Sequence, residues 1–142
     1  MMKNVEKDFK QYLAKFEDKE EWEVKIYVDL IRMMDWIFET SPGTKENELV
    51  QDELNKKIKE YKQKSFGWMK KQAQEAKLNK ILPKESNQRK KDMVLNSIYL
   101  ISKEDRENFT MVVRLLEKEY KSKGLEFECT GSKPPYNFLA VK

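Results

Sequence analysis

The chain has 142 residues, a net charge of +4, 38% charged and 39% hydrophobic residues, one cysteine and no histidine. That length supplies one real core, no apolar run approaches the roughly 20 residues of a membrane span, and the opening MMKNVEKDF lacks the apolar core of a signal peptide. Without histidine the commonest general base and metal ligand is missing and an ordinary zinc site is excluded, while one cysteine makes no internal disulfide, which fits a reducing cytoplasm.

In chain order, Val5, Phe9, Tyr12, Leu13 and Phe16 recur at helical spacing and predict an amphipathic N-terminal helix over 5–16. Residues 22–28 alternate. Trp22, Val24, Ile26 and Val28 point one way and Glu23, Lys25 and Tyr27 the other, a strand with one wet face. Asp29 is placed to cap a helix reaching Glu39, with Ile31, Met34 and Phe38 on one side, and Ser41-Pro42-Gly43 breaks it. A long helix is predicted from Thr44. Its stripe is Val50, Leu54, Ile58, Tyr61, Ser65, Trp68, Gln72 and Ala76, and Pro83 ends it before a polar loop over 84–91. Gly67 inside that helix costs roughly 1 kcal/mol against alanine and marks a kink or a close packing contact.

Residues 93–101 form an apolar, partly β-branched strand. Ser102 with Asp105 resembles a capping box for the next helix, whose inward face is Phe109, Val112, Val113, Leu116 and Tyr120. Gly124 stands where a left-handed C-cap is needed. Leu125, Phe127 and Cys129 then alternate with Glu126, Glu128 and Thr130, a half-buried strand in which Cys129 is a small buried hydrophobe. Strand, helix and strand make a right-handed βαβ unit with parallel strands. Placing 22–28 antiparallel between them gives the expected fold. It is α+β, with a small, mostly antiparallel three-stranded sheet of the ferredoxin-like split βαβ kind, a long middle helix and an N-terminal helix. Residues 1–142 read as one domain with a Pro/aromatic tail over 130–142.

The stretch VLNSIYLISKEDRENFTMVVRLLEKEYKSKGLEFECTGSKPPYNF resembles the C-terminal domain of the GvpL/GvpF family of gas vesicle proteins. The family's ending is G-P-W-P-P-Y-S/N-F. Gly131, Pro134, Pro135, Tyr136, Asn137 and Phe138 match, whereas Ser132 and Lys133 replace the usual Pro and Trp. EEWEVKIYVD is similar to the family's E-W-G-V-K-V strand through Glu21, Trp22, Val24 and Lys25, with Glu23 in place of glycine. Phe66-Gly67-Trp68-Met69-Lys70-Lys71 faintly resembles the family's aromatic–aliphatic–basic signature. Relative to the family, the helical region between Met69 and Met93 is shortened, and a separate N-terminal ferredoxin-like domain is absent. The resemblance implies a cytoplasmic accessory role in gas vesicle assembly, binding the small hydrophobic shell protein or other gas vesicle proteins.

No G-x-G-x-x-G, G-K-[ST] or G-x-S-x-G motif is present, and adjacent carboxylates such as Glu20-Glu21 read as parts of charged helix faces. The reading is therefore non-enzymatic, with no cofactor and no metal. Charge is uneven. Residues 56–91 hold 13 Lys or Arg against three Glu, about +10, so the remainder is about −6. A basic helical module that binds nucleic acid is the alternative function, opposed by the scarcity of arginine, since only Arg89 is not a lysine. Two partner-binding surfaces are expected. One is Phe66, Trp68, Lys70 and Lys71 on the long helix. The other is Trp22 with Pro134, Pro135, Tyr136 and Phe138, a tail that either folds onto its own core or stays exposed.

Overall fold

The strand predicted at 22–28 lies in the middle of the sheet. The structure is a computed structural model and describes residues 16–40 and 47–138. Its elements run β1 (Lys19–Val28), α1 (Leu30–Thr40), α2 (Asn47–Lys71), β2 (Glu75–Leu78), β3 (Asp92–Ser102), α3 (Arg106–Tyr120) and β4 (Leu125–Lys133). β1 pairs antiparallel with both β3 and β4, with Val24 opposite Ser97 on one side and Cys129 on the other. β3 and β4 are therefore parallel, joined by α3 with β1 between them, which is the split βαβ arrangement. Of the predicted helix over 5–16, only Phe16 belongs to the described residues.

The sheet has four strands in the order β2-β3-β1-β4, not three. The extra strand comes from the stretch read as the end of the long helix. α2 stops at Lys71, where the amides of Gln72 and Ala73 donate to the carbonyls of Met69 and Lys70 at 3.1 Å each. The Gln74 amide then donates to the Leu100 carbonyl at 2.8 Å, and β2 continues along β3 with Ala76 opposite Tyr99. Four residues are too few to display a period of their own. The open edge of β3 supplies the hydrogen bonds that decide the matter.

Among the described residues three helices cover one face of the sheet. Val24, Ile26 and Val28 from β1, Leu95, Tyr99 and Ile101 from β3, and Leu125 and Phe127 from β4 meet Met33, Ile37, Leu54, Tyr61, Met69, Phe109, Val113, Leu116 and Tyr120. Ser97 and Tyr99 bring hydroxyls into this layer and satisfy them internally: Tyr99 Oη donates to Ser97 Oγ at 2.8 Å, and Ser97 Oγ donates to the Val24 carbonyl at 2.9 Å. The inward face predicted for α3 holds, with Val112 only partly buried. That of α1 does not: Met33 and Ile37 are buried, and Ile31 and Phe38 are exposed. Both stripes of α1 are apolar, so periodicity cannot choose between them. Its tether chooses. The Asp29 amide donates to the Gly124 carbonyl at 2.8 Å, while Asp29 Oδ1 caps the helix by accepting from the Arg32 amide at 3.2 Å.

Other local expectations shift for identifiable reasons. Ser102 makes no capping bond; a 3₁₀ turn over Lys103–Asp105 precedes α3 instead. Tyr27 is not on a wet surface. Its ring lies under the Arg89 guanidinium, 5.3 Å away, and its hydroxyl donates to Glu128 Oε2 at 3.0 Å. Burial, with the Glu128 carboxylate beside it, pushes the Tyr27 hydroxyl up to about 12. Cys129 keeps its place in the alternation but is exposed rather than buried. Its sulfur still sits low enough among neighbouring atoms that desolvation, helped by Glu117, pushes the thiol up to about 11, which disfavours a reactive thiolate.

Gly124 is the pivot between α3 and β4, with φ of +100°. A Cβ there would lie 2.8 Å from the Met33 nitrogen and 2.9 Å from the Asp29 carbonyl oxygen. Gly124→Ala is expected to cost at least 1–3 kcal/mol, roughly the backbone strain alone. Denaturant unfolding measures this, and an unchanged midpoint would contradict the assignment.

Candidate functional site

α2 presents its buried stripe, Val50, Leu54, Tyr61, Ser65 and Met69, to the core. Trp68 stands on the flank of that stripe and is 53% exposed. With Val112, Leu115 and Leu116 of α3 it lines an apolar groove of about 260 Å³. Leu115 and Met111 are also exposed on α3. Lys71 Nζ sits 4.5 Å from the Trp68 ring, a cation–π contact at the groove's end, and Lys70 is exposed. Phe66 turns to the other flank, half-buried, its ring 6.1 Å from that of Tyr99. The four residues expected to act together are thus divided between two sides of α2. The close packing expected at Gly67 is not there, since a Cβ would meet nothing within 4 Å.

The second expected surface is a clamp in which β1 and the tail hold each other. Strand alternation sends Glu20 and Trp22 to the helix side and Glu21 to the opposite side. Glu21 is 3% exposed, and its carboxylate accepts from the Asn137 amide at 3.0 Å and from Asn137 Nδ2 at 2.7 Å. Lys77 of β2 reaches the same turn, donating to the Asn137 carbonyl at 2.9 Å with its ammonium 4.8 Å from the Phe138 ring. Phe138 is 6% exposed and packs with Phe16, Ile98 and Leu100. Tyr136 is 72% exposed, Pro134 is exposed and Pro135 half-buried. The tail therefore does both things at once: Phe138 is core, and Tyr136 is surface. Trp22 is half-buried, 6.0 Å from the Phe109 ring. Gly131 lies against its indole so closely that a Cβ would fall 2.3 Å from a ring carbon. The glycine is required by that contact.

Glu20 anchors the other side. Its carboxylate accepts from Arg106 Nε at 2.6 Å, Arg106 Nη2 at 2.7 Å and Trp22 Nε1 at 2.9 Å. Burial alone would push the Glu20 carboxyl up, but the bonds from Arg106 and Trp22 and the guanidinium charge outweigh it and hold the carboxyl below its ordinary range.

The basic stretch over 56–91 is partly neutralised within the fold. Lys57 and Lys64 pair with Glu60, and Arg89 and Lys91 pair with Glu126. Among the described residues no group of three His, Cys, Asp or Glu is arranged to hold a metal ion, and no helix is long and apolar enough to cross a membrane.

A family model described as "Gas vesicle synthesis protein GvpL/GvpF" matches residues 1–140. The chain belongs to the GvpL/GvpF family. Its fold is similar to the crystal structure of the gas vesicle protein GvpF from Microcystis aeruginosa, with a TM-score of 0.70 at 18% identity over 99% of this chain and 62% of that one. The crystal structure of GvpF from Anabaena sp. PCC7120 gives a TM-score of 0.69 at 18% identity, over 94% of this chain and 55% of that one. The chain thus spans less than two thirds of the length of either GvpF. No curated protein matches it. The GvpL/GvpF motifs at Glu21-Trp22 and at Gly131 with Asn137-Phe138 are distant in sequence and in direct contact in the fold.

Sequence reasoning missed Asn137 and Arg106 as the partners of the two glutamates, and Val112 and Leu115 as the wall beside Trp68. The adjacency of Glu20 and Glu21 in an alternating strand was the available signal, because one of the two had to face the core. Phe138→Ala is expected to cost about 3 kcal/mol and Tyr136→Ala almost nothing, read from paired unfolding curves. Equal effects would refute the division of the tail. For Glu20, a depressed carboxyl contributes stability that is complete above the ordinary glutamate value of 4.5 and is lost as pH falls through the folded value. Arg106→Leu should lower the melting temperature at neutral pH, with the gap to wild type closing as pH drops below 4.5. A gap that is the same at pH 3 and pH 7 would show that the ion pair is not its source.

Proposed function

We propose that this GvpL/GvpF family member is a non-enzymatic accessory protein of gas vesicle assembly. It acts in the cytoplasm at the gas vesicle and binds the small apolar shell protein or another gas vesicle protein. The observation that supports a binding role most directly is Trp68, a large aromatic left half in water on the wall of an apolar groove. An exposed aromatic anchor beside exposed Leu115 and Met111 is the composition of a protein–protein hot spot. Lys71 gives the groove a basic end that steers an acidic or amphipathic partner.

A soluble domain of this kind suits a partner that must be kept from aggregating, because the groove covers apolar surface while the lysines keep the complex hydrated. Nucleic-acid binding is weakened by the internal pairing of Lys57, Lys64, Arg89 and Lys91.

Trp68→Ala should weaken capture of the purified shell protein by more than about 1.4 kcal/mol, tenfold in affinity, with the melting temperature almost unchanged. A large loss of stability with binding lost only through unfolding would remove Trp68 as the docking residue. Unchanged binding would do the same.

A further inference from the structure

The far side of α2 holds a second surface that the Trp68 groove does not use. Phe66, Leu78, Ile81, Val94 and Leu95 form the apolar wall of an open groove of about 330 Å³ between α2 and the outer strand β2. Leu78 and Ile81 are exposed, and among the described residues no carboxylate lines the groove. Lys62 and Gln63 form its helical rim.

On a 3.6-residue helix, Lys59, Lys62, Gln63, Phe66 and Lys70 fall on one face, so the lysines extend that rim in both directions. From Lys59 to Lys70 the rim is about 16 Å long, three helical turns. Among the described residues Lys59, Lys62 and Lys70 form no ion pair. Lysines elsewhere on α2, Lys57 and Lys64, do find carboxylates. A row of unpaired cations beside an exposed apolar floor lacks two things together, negative charge and apolar cover. One occupant supplies both.

We propose that this groove binds an acidic amphipathic helix of a partner protein. Its apolar stripe lies on Phe66, Leu78 and Ile81, and its carboxylates face Lys59, Lys62 and Lys70. Helix-in-groove docking reads apolar anchors at three- and four-residue spacing, and the lysines add orientation and salt-sensitive attraction. The reading of the Trp68 groove is independent of this one. The two faces lie on opposite flanks of α2, so either can fail alone.

The test is a nitrogen-15 NMR titration of the full chain with a synthetic amphipathic helix of leucine and glutamate, alongside the same peptide with lysine for glutamate. Amide signals of Phe66, Leu78 and Ile81 are expected to move with the acidic peptide only. The affinity should fall as sodium chloride is raised, and by tenfold or more in the surface variant Lys59→Glu/Lys62→Glu. Equal binding of the basic peptide, or no loss in the double variant, overturns the proposal. So do shifts centred on Trp68 and Leu115, the absence of binding, or a DNA duplex moving the same signals more strongly than the peptide.

Discussion

Two adjacent carboxylates must be buried on opposite faces of the central strand, and the fold is arranged around that constraint. A buried unpaired carboxylate costs several kcal/mol, so Glu20 and Glu21 each demand a donor from elsewhere in the chain. Arg106 meets the first from the start of α3, which fixes where that helix crosses β1. Asn137 meets the second from beyond the end of β4, which brings the tail back across the sheet. Between them Trp22 donates to Glu20 and lies under Gly131. Four consecutive residues of β1, from Glu20 to Glu23, thus hold the N-terminal end of α3, the last strand and the tail in one arrangement. Glu23 completes the set through Lys25 and Lys133.

What the sequence made legible follows the lengths over which a pattern can be read. The alternation from Trp22 to Val28, the long apolar run of β3 and the helical face from Phe109 to Tyr120 each repeat several times. With the handedness rule, they place β1 between two parallel strands. Patterns that repeat once or twice misled. Ala76 continued the stripe of α2 on paper, yet β2 forms because β3 had an open edge. α1 offered two apolar stripes, and the Asp29–Gly124 tether selected Met33 and Ile37. Cys129 alternated correctly, but β4 is exposed from that residue onward. The glutamates read as solvated because their partners are remote in sequence.

The candidate site was legible as residue types and not as an arrangement. Phe66 and Trp68 are two apart on a helix, so their side chains leave it in directions roughly 200° apart. One therefore faces β2 and the other α3, and the core stripe running through Ser65 and Met69 separates their grooves. A ring network passes beneath. Trp22, Phe109, Tyr99 and Phe66 are in successive contact at 5.1–6.1 Å, so the half-buried Trp22 of β1 is joined through packed rings to Phe66 at the groove.

The meeting of Phe16 and Phe138 over Ile98 and Leu100 has a consequence for cooperativity. Two residues remote in the sequence share one small cluster, on the face of the sheet away from the main core. Each phenylalanine covers part of the other's apolar surface. Displacing one phenylalanine therefore strips apolar cover from the other, and the two are thermodynamically linked although they are remote in sequence. A disturbance at either phenylalanine is thus shared with the other on the face of the sheet opposite the main core.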